Sequence, residues 1–289
     1  MPPHPENKSN VVDLPDMDSR PSLIYTVAFG PPGSEGCRTL AKMLASSLLR
    51  TFVTGDVLVF RNSEAPLFLV ERKGLEEVYI DTPDIHGLEG AEYSWCWKYK
   101  VREQVIRWME LNGGVDAWNK VVFLDADSLA LRNIDHLLDG DWDIGYQVER
   151  GLNINSGQFN AFLSDEECEK WNRDGVNSGT VAVDARRYAE VMEHWEKIDQ
   201  APTLRPRNCS DQGSWNRLLI ETDLRTHAFD EGEVQFPMYT QTRFGAYKNA
   251  ALVHNLGGDT VDKIRFTFGL YMNTFFCDPS ALFFNFLEM

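Results

Sequence analysis

The stretch that most restricts the fold is KVVFLDAD, residues 120–127. After one lysine, Val121, Val122, Phe123 and Leu124 are apolar without alternation, the pattern of a strand covered on both faces in the middle of a parallel sheet. Such sheets come from alternating strands and helices, and their ligands gather beyond the carboxyl ends of the strands. Asp125 and Asp127 stand at that end. Residues i and i+2 of an extended chain point to one side, so both carboxylates can face a single point. Carboxylate oxygen suits Mg²⁺ or Mn²⁺, ions that commonly share their shell with substrate phosphates. The competing reading of an isolated Asp-x-Asp after a strand is a cap on the turn or helix that follows.

The flanking sequence supplies the alternation. Residues 22–30, SLIYTVAFG, read as a buried strand that runs into a Gly-Pro-Pro-Gly loop. Leu40, Met43, Leu44, Leu48, Leu49 and Phe52 recur at helical spacing, and DVLVFRN after Gly55 is a second strand. A third strand is expected over 77–81. Trp97, Val101, Val105 and Trp108 mark one helix face that stops at Asn112-Gly113-Gly114, ahead of the strand that carries Asp125. Beyond it, DIGYQV, TVAVDA, a helix with Tyr188, Val191, Met192 and Trp195 on one face, and AALVH are expected to complete the sheet. Residues 164–177 and 200–210 read as surface insertions.

Composition narrows the function classes. Across 289 residues, 28 Lys and Arg stand against 44 Asp and Glu, a formal charge of −16, so the average surface repels nucleic acid and anionic lipid. An anionic substrate must then be held by a local device, such as a cation on the Asp pair. Five cysteines, at 37, 96, 168, 209 and 277, form no CxxC pair, which points to reduced thiols and a cytoplasmic setting. No apolar run reaches the roughly 18–20 residues that cross a bilayer. The start of the chain lacks the pattern of a secretory signal, and residues 1–21 read as a flexible, proline-rich extension. The aromatic segment 265–289 is expected to serve core or subunit packing, with homodimer or peripheral membrane contact as further options.

Four stretches, in order, resemble the family 8 glycosyltransferases of the GT-A fold, the group that contains glycogenins and bacterial lipopolysaccharide galactosyltransferases. They are KVVFLDADSLALRNIDHLL (120–138), NSGTVAVD (177–184), DQGSWNRLL (211–219) and VHNLGG (253–258). With the first strand, the resemblance covers residues 22 to 263 or so. It implies a single α/β domain with a mixed, mostly parallel sheet flanked by helices, with a nucleotide half over 22–140 and a sugar and acceptor half over 141–264. It also implies transfer of a sugar from a UDP-sugar to an acceptor hydroxyl on a glycan, protein or small molecule, with Mn²⁺ or Mg²⁺ and with retention of configuration.

Residue by residue, the resemblance makes Asp125, Asp127 and His254 the metal ligands. Ala28, Phe29, Lys98, Asp125, Ala126, Asn177 and Ser178 become the donor-binding set, joined by Lys263 where the family's own lysine is missing, and Asp127, Asp211 and Gln212 the catalytic set. Each has a plainer reading: His254 as a buried core histidine, Lys98 with Arg102 as a solvated helix face, Asn177 to Gly179 as a turn before a strand, and Asp211 as a helix cap. The sequence departs from the family after His254. Thr260 stands where the family has a lysine and no Lys-Pro-Trp follows, which leaves Lys263 or Arg265 to reach a diphosphate. Two other classes stay open: a transferase fold kept only for binding, and a haloacid-dehalogenase-like phosphatase with Asp125 as nucleophile.

Overall fold

The apolar run after Pro21 forms β1 (Leu23–Ala28), which pairs in parallel with β2 (Asp56–Arg61) on one side and β4 (Lys120–Leu124) on the other. The computed structural model describes residues 20–29, 35–69, 71–81, 97–206, 211–236, 247, 249–255 and 259–276. Between β1 and β2, α1 (Gly36–Arg50) buries Leu40, Met43, Leu44 and Leu48. Phe52 does not extend that face. It takes a left-handed φ of 58°, is 82% exposed and ends the helix, with its N–H on Leu49 O and that of Val53 on Leu48 O. The third strand, β3 (Leu75–Tyr79), lies two residues earlier than 77–81, because its register follows β2 from Val57 opposite Leu75 to Arg61 opposite Tyr79. The helix expected from Trp97 is two segments, α2 (Trp97–Lys100) and α3 (Arg102–Leu111), and Gly113 and Gly114 close it at φ 107° and 82°.

β4 is parallel to its neighbour on one side only. Its other edge pairs antiparallel with β7 (Asp174–Asp184), because the chain leaves through β6 (Ile144–Asn153) and α4 (Asp165–Trp171) and returns reversed. With β8 (Thr226–Ala228), the sheet order is β3-β2-β1-β4-β7-β6-β8. Val121 and Phe123 point to the face covered by α5 (Tyr188–Asp199) and α6 (Gln212–Glu221), beside Trp195 and Trp215. Val122 and Leu124 point to the face of α1. Two covered faces explain the unbroken apolar run of β4. The result is a single mixed α/β domain with a mostly parallel sheet between helices.

Two expectations are corrected. The AALVH strand does not join this sheet: β10 (Leu252–His254) lies in a second, three-stranded sheet between β5 (Ser128–Ala130) and β9 (Val234–Gln235). The 164–177 segment is not all surface. Ser164 caps α4 through a reciprocal box with Glu167, but Val176 and Asn177 are buried in β7. The aromatic C-terminal stretch begins within α7 (Thr260–Phe275), where Phe266 and Leu270 pack against Leu40 and Met43 of α1; residues 277–289 lie outside the described residues. Among the described residues, no helix is long and apolar enough to cross a membrane.

Candidate active site

The Asp pair sits in a turn between two strands of different sheets. Asp125 N donates to Gly179 O of β7 at 2.8 Å, and Ser128 N donates to Asp125 O at 2.9 Å, which turns the chain from β4 into β5. A strand follows rather than a helix, so helix capping does not account for the two acids. β10 then lies antiparallel to β5 with His254 opposite Ser128, and Asn255 N donates to Asp127 O at 3.1 Å. This pairing sets His254 Nε2 3.4 Å from Asp125 Oδ2 and 3.2 Å from Asp127 Oδ1. One ligand atom from each of the three lies within 4.8 Å of the others.

The chemistry of this group fits a divalent cation. Two carboxylates and an imidazole are hard and borderline donors of the kind Mn²⁺ accepts. The wall beside them is kept free of side chains: a Cβ on Gly179 would fall 2.1 Å from His254 Cε1 and 2.6 Å from Asp125 Oδ2. His254 is 4% exposed, so it is buried as its plainer reading required. Yet its Nδ1 has no hydrogen-bond partner among the described residues, and its Nε2 faces the two acids.

Lys98 is not on a solvated face. It is 4% exposed, its Nζ lies 3.2 Å from Asp125 Oδ1 and 3.0 Å from Asp211 Oδ2, and it donates to Ser178 O at 3.1 Å and Ser178 Oγ at 3.2 Å. Tyr25 Oη donates to Lys98 O at 2.7 Å and so ties α2 to β1. Arg102, one turn on, is engaged elsewhere, at 3.0 Å from Glu196. Lys263, in the first turn of α7, forms an ion pair with Asp127. Burial alone would push Asp127 up, but His254 and Lys263 hold its carboxyl well below the usual carboxylate range. Burial pushes Asp125 up, and Lys98 and His254 only partly oppose it. Lys98 would be lowered by burial, but Asp125 and Asp211 hold it above its ordinary value.

Asp211 precedes α6 and makes no side-chain capping bond; its carboxylate lies 3.0 Å from Lys98 Nζ. Gln212 opens α6 with Oε1 buried and without a hydrogen-bond partner among the described residues. Asn177, Ser178 and Gly179 lie within β7 rather than in a turn before it. Ala28 ends β1 and Phe29 follows it at the same edge of the sheet, but both side chains are buried, and Phe29 packs edge-on against Trp97 at 4.9 Å. Ala126 packs partly into the core beneath the turn. Three residues that the sequence reading passed over adjoin this group. Cys37 stands in the first turn of α1, its thiol raised by burial and then by Asp127. Asn216 of α6 holds Val176 through both its amide ends, at 2.9 and 2.8 Å. Glu149 of β6 accepts from Asn177. For Glu149 a signal existed: in IGYQVE, Gln147 and Glu149 are polar residues spaced by two in a strand whose neighbours are apolar.

No protein-family model matches the sequence, and no curated protein matches it. Among solved structures, the chain is similar to the bifunctional glycosyltransferase WbbM in its apo structure, with a TM-score of 0.54 and 13% identity. The match covers 88% of this chain and 50% of that one, so this chain spans half the length of its structural neighbour. The likeness is one of fold.

Proposed function

We propose that this chain is a metal-dependent glycosyltransferase of the family 8 type, which moves a sugar from a UDP-sugar to an acceptor hydroxyl with retention. The observation that carries the reading is the Asp125, Asp127 and His254 group at the carboxyl end of β4, in a glycosyltransferase-like fold. Residues 22–140 then serve as the nucleotide half of one catalytic domain and 141–264 as the sugar and acceptor half, in a cytoplasmic protein. Asp125, Asp127 and His254 would hold Mn²⁺ or Mg²⁺, which when bound supplies Lewis-acid stabilisation of charge on a departing diphosphate. Ala28, Phe29 and the Ala126 backbone border the uridine, while Ser178 and Asn177 border the sugar.

Lys98 holds Asp125, Asp211 and Ser178 in one arrangement, so that little reorganisation remains when the donor is bound. The ammonium of Lys263, in place of the family's lysine, counters negative charge beside Asp127. Asp211 shares Lys98 with Asp125, and Gln212 Oε1, buried and without a hydrogen-bond partner among the described residues, would accept from a sugar hydroxyl. The acceptor oxygen attacks the anomeric carbon on the face the diphosphate leaves, and its proton passes to the departing phosphate oxygen. Calorimetry with UDP-glucose, UDP-galactose, UDP-xylose and their N-acetylated relatives, with and without Mn²⁺, is expected to give binding of at least one donor only with the ion. For the selected donor, Asp127→Ala is expected to lower turnover at least about a hundredfold, or roughly 2.7 kcal/mol of barrier. Full activity in EDTA would sink the metal assignment.

A further inference from the structure

β7 does not run smoothly past β6. Tyr146 stands opposite Val181, but the next residue, Gln147, stands opposite Asn177, so Ser178, Gly179 and Thr180 are extra residues on the β7 side. This bulge is the segment that meets the metal-ligand group. Ser178 accepts from Lys98, Gly179 O accepts from Asp125 N, and the Gly179 Cα abuts Asp125 and His254. Its shape therefore sets how the ligands stand to one another.

The bulge is held by one amide. Gly179 N donates to Asn177 Oδ1 at 2.7 Å, and Asn177 Nδ2 donates to Glu149 Oε2 at 2.9 Å. Asn177 is 1% exposed and Glu149 8%. A carboxylate oxygen accepts and does not donate, so Glu149 obliges Asn177 to present its NH₂ toward β6 and its carbonyl toward Gly179. With the amide reversed, two donors would meet at Gly179 and two acceptors at Glu149, all of them out of water. We infer that Glu149 is a positioning residue: it fixes the direction of the Asn177 amide, and through Gly179 it fixes the wall against which Asp125 and His254 are set. Asn177 on this account acts as a clamp on the bulge rather than through a free amide of its own. The metal-binding consequence rests on the sugar-transfer reading above; the clamp itself does not.

Reversing the polarity of the clamp tests it. Asn177→Asp sets a second carboxylate against Glu149, and Glu149→Ala removes the acceptor. The double variant E149Q/N177D restores a donor–acceptor pair of opposite sense while the side chain at 177 still accepts from Gly179 N. The Gly179 amide is expected to exchange its hydrogen at least about tenfold faster in E149A and in N177D than in the wild-type chain, and to return within about threefold of wild type in the double variant. The affinity for Mn²⁺ alone, read by electron paramagnetic resonance, should follow the same order, with about tenfold losses in each single variant and recovery in the double. Wild-type protection of Gly179 in E149A, or exchange in the double variant as fast as in N177D, overturns the clamp. A double variant that fails to fold also counts against it, and if N177D alone fails to fold, E149A and the double variant still decide. If the wild-type chain binds neither Mn²⁺ nor UDP, the transferase reading falls while Gly179 exchange continues to judge the clamp.

Discussion

Each end of β4 has a buried lysine beside carboxylates, and the two are settled in opposite ways. At the carboxyl end, Lys98 lies 3.2 Å from Asp125 and 3.0 Å from Asp211 and has its remaining donor capacity on Ser178. At the amino end, Lys120 donates to Trp142 O at 2.8 Å, stands 4.2 Å over the Trp142 ring, and reaches its nearest acid, Asp184, only at 3.6 Å. Burial works against the charge at both. Paired acids override it at Lys98, which is raised; at Lys120 burial wins, and that lysine is lowered despite Asp184. The surroundings differ in the same sense. Around Lys120 opens a cavity of about 720 Å³ in which Asp141, Asp143 and Asp184 alternate with Arg186, Arg187 and Arg225, and the charges nearly cancel. At the other end, Asp125, Asp127 and Asp211 face the ammonium groups of Lys98 and Lys263, and negative charge is left over. One end is complete; the other keeps an excess of negative charge, as the proposed metal site requires.

The largest effect expected from breaking this contrast is at Lys98. Lys98→Met removes the ammonium shared by the buried Asp211 and the part-buried Asp125, and an uncompensated buried charge at Asp211 costs about 3–5 kcal/mol. Urea unfolding should report a loss of that size. The same variant should lose donor binding in the presence of Mn²⁺, because Asp211 and Ser178 are no longer held. A stability change under about 1 kcal/mol would mean that Lys98 is hydrated in solution and that the contrast with Lys120 is unfounded.

How much of this was readable beforehand depends on the range of the interaction. β1, α1, β2 and β4 declare themselves through local apolar pattern, because each buries a face or faces within one run of sequence. Asp125, Asp127, Lys98, Asp211 and His254 were all singled out, yet from sequence each had a plain alternative. Only the pairing of β10 with β5, and the burial of Lys98, brings them to one point. The second sheet was missed because AALVH has the same apolar pattern whichever sheet it joins. The β7 bulge was missed because NSGT reads as a turn until β6 is laid beside it, and its anchor, Glu149, lies 28 positions away from Asn177. Period-two logic assigns an acid in such a strand to solvent; here its partner is another buried side chain.

The next effect in size belongs to Gly179. Gly179→Ala puts a methyl group where His254 Cε1 and Asp125 Oδ2 already stand, at 2.1 and 2.6 Å, so one ligand must move. Overpacking of this kind costs about 1–3 kcal/mol, and Mn²⁺ affinity should weaken by about tenfold or more as the ligands separate. Titration with Mn²⁺ alone reads this directly. Affinity unchanged from wild type would show that the ion does not depend on His254 and Asp125 keeping their present places.

The smallest effect is expected at Lys120, and its sign with pH is the sharpest check on the contrast. Replacing a buried, poorly paired ammonium by an apolar chain of similar length gives up the bond to Trp142 O and the ring contact but removes the desolvation of a charge. Lys120→Met should therefore leave stability within about 1 kcal/mol at neutral pH. Because the folded-state value of Lys120 lies below its ordinary 10.5, the unfolded chain binds more protons between those two points. Wild-type stability relative to the variant must then rise as pH climbs through that window and level off above 10.5. A lysine held like Lys98 would give the reverse, a relative loss at alkaline pH. Unfolding curves for the wild type and Lys120→Met across the alkaline range, compared pair by pair, tell the two apart: a difference that stays flat or falls with pH would make Lys120 a second well-paired lysine and remove the distinction between the two ends of β4.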